Sequence, residues 1–383
     1  MNFKVLRIIT CALMLILAVT SPSIAPSPGH AAPAQSPDIT RTFDFRDGTL
    51  GWQPDFVGYT QYNQDIYELL AELRALPPEL SVSGTGFYLQ GHNRCDCLVM
   101  FLKRRLGAQD GVVAGQRYRA SFTVRLASNA QSGCIGIGGS PGESVRLLVG
   151  ASQIEPVTFV GPYDTRRLNL ESTVATLAGN IANGQPCNLN LNPYISIERM
   201  QQHVSEVTAD SAGNLWLFVG TGSGFEGRTT LYYQGIDVVL TPVGTPEANP
   251  VNPPTLLTEE NTQNAVAINA QTFTRDPFPF YTTGFFSSDG RTYIMFFAAN
   301  TQLMEGESLS TVTVLAEDER GIKFQLPVDS VLRVPNFDWL TQIVVRLPNE
   351  LIGARNVRVS FNLRGASSNT AALKVISDAN RSQ

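Results

Sequence analysis

The chain has 383 residues, enough for about two domains at roughly 100 to 200 residues each. Its 33 acidic and 28 basic side chains give a formal net charge of -5, spread along the sequence without a basic cluster. That distribution lacks the electrostatic footprint of a nucleic-acid-binding protein.

Lys4 and Arg7 precede an apolar run from Ile8 to Val19, and Ala32-Pro33-Ala34 forms a small-residue end before Gln35. This is the pattern of a secretory signal peptide over residues 1–34, too short and too soon broken for a membrane anchor. Elsewhere no long apolar run occurs, so no membrane insertion is expected after signal removal, and the protein is expected outside the cell or at its surface.

From residue 35 to 243 short runs of β-branched and aromatic residues alternate with polar ones, as in Tyr118–Leu126, Ser144–Val149, Leu215–Val219 and Thr229–Leu240. These read as half-buried antiparallel strands. One stretch differs: Asp65 to Leu76 sets Ile66, Leu69, Leu70, Leu73 and Leu76 at helical spacing before Pro77-Pro78, so a single inserted helix is expected there. A second, weaker helical pattern lies near Ser172 to Leu177. Residues 244–270 hold Pro246, Pro250, Pro253 and Pro254, the composition of an extended linker. Residues 271–383 then supply about seven strand-like runs between Pro279 and Leu363, with turns such as Ser288-Asp289-Gly290, a number that suits an immunoglobulin-like sandwich.

Without Cys11, which falls in the signal segment, four cysteines remain: Cys95, Cys97, Cys134 and Cys187. An even number in an exported chain points to disulfides, with three connectivities open. On an extended strand Cys95 and Cys97 point to one face and bridge each other badly, so each is expected to reach Cys134 or Cys187.

Three motifs suggest chemistry, and each fails on its context. Gly222, Gly224 and Gly227 spell the dinucleotide fingerprint, but RTTLYYQGIDVVL from Arg228 reads as a strand rather than a phosphate-binding helix, so a glycine-rich hairpin is expected instead. Gly138-Gly139-Ser140-Pro141-Gly142 matches the nucleophile elbow, with His203 downstream. Pro141, however, lacks the backbone N–H that an oxyanion hole needs. His92, Cys95 and Cys97 could begin a zinc site, although an oxidising compartment favours disulfides. No catalytic residue is therefore assigned, and the chain is read as not an enzyme.

Phe43-Asp44-Phe45-Arg46-Asp47-Gly48-Thr49-Leu50-Gly51-Trp52 resembles the first strand and turn of jelly-roll carbohydrate-binding modules, and Gly235 to Leu240 is similar to their last strand. That resemblance implies neighbouring terminal strands and a structural calcium, with Asp47 and Asp237 as candidate ligands. Read from the residues alone, Asp47 serves its turn and Asp237 faces solvent. GHNRCDCLVMFLKR, GIGGSPGESV and LWLFVGTGSGFEG resemble a group of uncharacterised exported bacterial proteins, which brings no activity. Thr274–Phe278, Phe286–Thr292 and Asp338–Gln342 resemble an immunoglobulin-like module of secreted bacterial proteins, which implies a non-catalytic accessory domain.

The fold class is accordingly mainly β: a jelly-roll β-sandwich, a Pro-rich linker and an immunoglobulin-like β-sandwich. Glycan recognition is the first functional reading, with Trp52, Tyr59 and Tyr62, joined by Tyr67, as an aromatic platform. Arg94 and Asp96 would be its hydrogen-bonding partners. The alternative is a structural or adhesive exoprotein that binds a surface protein, and in it these aromatics are core or loop residues. An extracellular hydrolase is the remaining reading.

Overall fold

The structure, a computed structural model, describes residues 37–170, 175–188, 190–244, 252–282, 290–304, 307–334 and 337–376. The expected signal segment, the Ser288-Asp289 turn and residues 172–174 of the second helical pattern lie outside them.

Strands dominate from the first described residues, as the alternation implies. In chain order they begin with β1 (Ile39–Asp44), β2 (Gln53–Val57), β3 (Tyr59–Thr60), β4 (Leu70–Ala75), β5 (Thr85–His92) and β6 (Val99–Leu106). There follow β7 (Arg117–Ser128), β8 (Val145–Ser152), β9 (Thr158–Val160), β10 (Thr165–Leu168) and β11 (Ala175–Asn180). The series closes with β12 (Ile195–Gln202), β13 (Val207–Thr208), β14 (Leu215–Ser223) and β15 (Arg228–Val243). One sheet runs β12-β7-β15-β5-β4, with β1 paired antiparallel to β15 and β13 to β7. The facing sheet runs β11-β8-β14-β6-β2, and β3-β10-β9 form a small three-stranded flap.

Period-2 alternation sorts the side chains of each strand between two faces. On β6, Met100 and Leu102 join the core between the sheets, while Phe101 faces outward with Val57 and Phe218 in a separate cluster. On β7, Ala120, Phe122, Val124 and Leu126 fill the core from the other side.

The helix expected over Asp65 to Leu76 is absent. Gln61–Tyr67 form 3-10 turns, Glu68 adopts a left-handed conformation (φ 49°) that ends them, and Leu70–Ala75 pair with β5. The apolar spacing fits both periods, and tertiary pairing with an existing sheet edge decides between them. Ala175–Leu177, read as the end of a second helix, are likewise strand.

A second sandwich follows from β16 (Thr255–Leu256), β17 (Ala267–Asn269), β18 (Phe278–Pro279), β19 (Tyr293–Ala299), β20 (Val312–Glu317) and β21 (Lys323–Leu326). It continues with β22 (Val328–Val334), β23 (Phe337–Arg346), β24 (Asn356–Leu363), β25 (Ala366–Ser367) and β26 (Ala371–Ile376). Its sheets are β16-β19-β23-β22, with β17 also on β19, and β18-β26-β24-β20-β21, with β25 also on β24. β16 and β17 fall inside the stretch read as linker, where Leu256 and Ala267 are buried in this sandwich's core. The flap bridges to the same core: Phe159 packs edge-on against Phe324, and the Asn169 side chain donates to the Lys323 carbonyl at 2.7 Å. Among the described residues no helix is long and apolar enough to cross a membrane.

Candidate functional site

The expected aromatic platform does not assemble. Trp52 is 2% exposed in the core, edge-on to Phe43 with centroids 5.5 Å apart, and Tyr59 and Tyr67 are buried beside each other. An F-x-F-x-D-G-x-x-G-W turn folds its tryptophan back over the first strand, so the apolar ring goes inward. Tyr62 alone of the group is available, at 93% exposure, and Tyr163 on the neighbouring flap turn is 83% exposed. Arg94 is exposed and donates to the Ile66 carbonyl at 3.2 Å.

Asp96 leads to the site. It sits in the Cys95–Cys97 loop beside a groove of about 660 Å³ on the outer face of the sheet that contains β6, β8 and β14. Val57, Val99, Leu148, Leu168 and Phe218 give the groove its apolar floor and wall. Arg146 from β8 and Arg166 and Arg167 from β10 line it with Asp96, and Glu350 reaches it from the second sandwich. Glycine makes the space. Gly222 of β14 stands in register between Arg146 of β8 and Val99 of β6, and a Cβ there would meet only Leu148 at 3.6 Å and Val99 at 3.9 Å. A Cβ on Gly224 would lie 3.1 Å from the Asp96 carboxylate. Two glycines of the false dinucleotide motif therefore open the groove and seat its acid.

That motif is not the expected hairpin. β14 and β15 belong to different sheets, so the segment between them crosses the sandwich. None of its three glycines has a positive φ; Gly224 and Gly227 serve close approach, and at Gly227 a Cβ would strike the Phe225 ring at 2.2 Å.

Asn93, 1% exposed and missed by the sequence reading, organises this end of the sandwich. Its side-chain oxygen accepts from the backbone N–H groups of Cys95, Cys97 and Leu98 at 3.4, 3.3 and 3.2 Å. Its amide donates to the Ser223 and Phe225 carbonyls at 3.0 and 2.9 Å. One buried amide thus ties the Asp96 loop to the glycine crossing, and a buried side chain with every bond met is rigid.

The disulfides correct the expected pairing. Cys95 bonds Cys97, and Cys134 bonds Cys187 across 53 residues. The loop is no strand: Asp96 adopts a left-handed conformation (φ 53°), which draws the two Cα atoms to 5.2 Å, within bridging reach. Both sulfurs rest against the Gly58 carbonyl oxygen. Gly58 (φ 83°) is obligatory, because a Cβ would lie 1.8 Å from the Cys97 carbonyl oxygen.

With both thiols bonded, zinc at His92 has no thiolate ligand. His92 Nδ1 instead lies 3.1 Å from Glu68, and His92 with Arg228 holds the Glu68 carboxyl below its usual range. Asp47 and Asp237 do not fit calcium, which takes roughly six to eight oxygen ligands. Asp237 spends both carboxylate oxygens on Arg125, which holds its carboxyl low, and Asp47 is exposed. Among the described residues no group of three His, Cys, Asp or Glu side chains is placed to hold a metal ion. Ser140 donates to Glu143, whereas His203 is buried with Nδ1 2.8 Å from the Thr176 hydroxyl; burial lowers its pKa to about 4.

No protein-family model matches the chain, and no curated protein matches it. Among solved structures, the enzymatically active domain of bacteriophage CBA120 tailspike protein 4 is 12% identical, over 52% of this chain and 20% of that one, with a TM-score of 0.24. The K3 cleaved adhesin domain of Lys-gingipain from Porphyromonas gingivalis is 9% identical, over 52% of this chain and 98% of that one, with a TM-score of 0.24. Dimeric latent PorU from the same organism is 11% identical, over 90% of this chain and 22% of that one, with a TM-score of 0.22. The chain spans about a fifth of the tailspike domain and of PorU. Similarity at these scores does not assign the chain to a family.

Proposed function

We propose that this is a secreted, non-catalytic binding protein that holds a glycan in the groove beside Asp96. One observation carries the reading: an open depression of about 660 Å³ with an apolar floor, a glycine gap and polar groups at the rim. A sugar offers the complementary surface, with C–H faces to lie on Phe218 and Leu148 and hydroxyls to meet arginines and a carboxylate. Ser140 and His203, spent on Glu143 and Thr176, support a role in binding rather than hydrolysis.

A glycan array probed with the exported chain, residues 35–383, tests the reading against Gly222→Val. A Cβ fits at that position, so the variant should fold normally while its side chain fills the groove. Glycan binding lost in the variant supports the proposal; binding that survives it, or no binding at all, refutes it.

A second reading, attachment to a surface protein, rests on Ile135 and Ile137, which are exposed on the segment next to the Cys134–Cys187 bridge. An apolar pair presented to water on a tied segment suits a protein contact.

A further inference from the structure

We infer that the groove selects ligands that carry a carboxylate, in the first place oligosaccharides containing uronic acids; this rests on the groove being the binding site. The observation is a group of arginines for which the chain itself supplies no partner. Arg146, Arg166 and Arg167 all line the groove, and among the described residues none of their side chains has an ion pair or a hydrogen bond. The Nε of Arg166 is fully enclosed and still has no acceptor. A buried donor left unmet is destabilising, so an acceptor from outside the chain would be favoured there.

Scarcity of carboxylates does not explain this, since acidic residues outnumber basic ones by 33 to 28. Elsewhere arginines find them: Arg125 pairs with Asp237, Arg320 with Asp318, and Arg117 and Arg119 share Glu206. Placement strengthens the case. Arg146 stands directly opposite Gly222 in the strand register, so its side chain rises beside the open position. Arg166 and Arg167 approach from the flap that forms the facing wall.

The rim also sets the kind of anion. Asp96 and Glu350 line the same groove, and they would repel a polyphosphate or nucleic-acid backbone. A sugar acid distributes its charge differently: one planar carboxylate takes an arginine fork, while neutral hydroxyls donate to Asp96. The apolar floor then packs against the ring's C–H face. Neutral sugars would leave the arginines unmet and should bind less well.

The test is calorimetric titration of residues 35–383 with oligogalacturonate, hyaluronan and alginate oligosaccharides, and with methyl-esterified oligogalacturonate, which keeps the scaffold but loses the charge. At least one acid should bind, weaken with added salt, and exceed its uncharged counterpart by about tenfold or more. Arg146→Gln and Arg167→Gln should each weaken the acid about tenfold, and Arg146→Lys should restore only part of that, because lysine keeps the charge without the fork. Thermal unfolding of each variant checks that the fold is intact. Equal binding of acid and ester, with both lost in Gly222→Val, would overturn the acid preference and leave the groove as the site. So would binding of neutral glycans alone. Acid binding indifferent to Gly222→Val and to both arginine changes would overturn the inference and the groove reading together, as would failure to bind any glycan.

Discussion

The two sheets of the first sandwich both carry an aromatic cluster on their outer faces, yet only beside one of them are the neighbouring arginines paired within the chain. On the sheet containing β5 and β15, Tyr88 and Tyr232 pack at 4.9 Å between centroids, Tyr194 joins edge-on, and Leu70, Leu76 and Leu80 complete the patch. Arg74 lies 3.9 Å above the Tyr88 ring and is paired with Glu72. Burial raises the Tyr194 pKa to about 12, the mark of a phenol locked in structure. On the other sheet Phe101 and Phe218 pack at 5.0 Å, and beside them lies the groove, whose arginines lack partners among the described residues. The difference is one of pairing: an arginine met by its own chain serves the fold, and one left without a partner there is available to a ligand.

The largest effect that could break this comparison lies beneath both faces. Trp52→Ala should cost about 3–5 kcal/mol, read by denaturant unfolding, because it empties the core between the sheets. A loss below 1 kcal/mol would return the ring to the surface and restore the aromatic platform.

His203 ties the two sheets along one edge, its backbone N–H on the Ala120 carbonyl and its ring on Thr176 of β11. Its folded pKa, near 4, lies below the unfolded value, so the unfolded chain binds the extra proton first. The contribution is intact above about pH 6.5 and is lost as pH falls from there towards 4, by at most about 3 kcal/mol. His203→Gln should flatten that part of the stability profile; an unchanged slope would assign it to other groups.

The smallest effect sharpens the contrast between paired and unpaired arginines. Asp237→Asn, on the completed face, should cost roughly 1 kcal/mol or less, since the pair is partly exposed. Arg146→Gln should leave unfolding stability unchanged, because no partner is lost. A measurable loss there would mean that the groove arginine already serves the fold.

Much of the fold was legible because alternation is a strong signal: Tyr118–Leu126 lies wholly within β7, and Thr229–Leu240 wholly within β15. The failures share a cause. Asp65 to Leu76 fits two periods at once, and only the edge of β5 decides between them. The cysteine pairing turned on a left-handed Asp96, which a strand-like reading of CDCL hides. At the site, Asp96 was legible as a polar residue among apolar neighbours. The arginines were not, because RRL at 166–168 and VRLL at 145–148 meet only when the flap folds over the sheet. Asn93 was invisible for the same reason: the two carbonyls its amide meets lie 130 and 132 residues away.

The flap's anchoring has a consequence in linkage. One wall of the groove is made by β10, while Phe159 of its partner β9 belongs to the second sandwich's core and Arg320 donates to the Val160 carbonyl. A ligand that braces this wall draws on contacts held in both sandwiches, and linkage requires the effect to run both ways. Saturating the groove should therefore raise the melting temperature of the second sandwich as well as the first, and loosening Phe324 should be felt as lost affinity at a site it never touches.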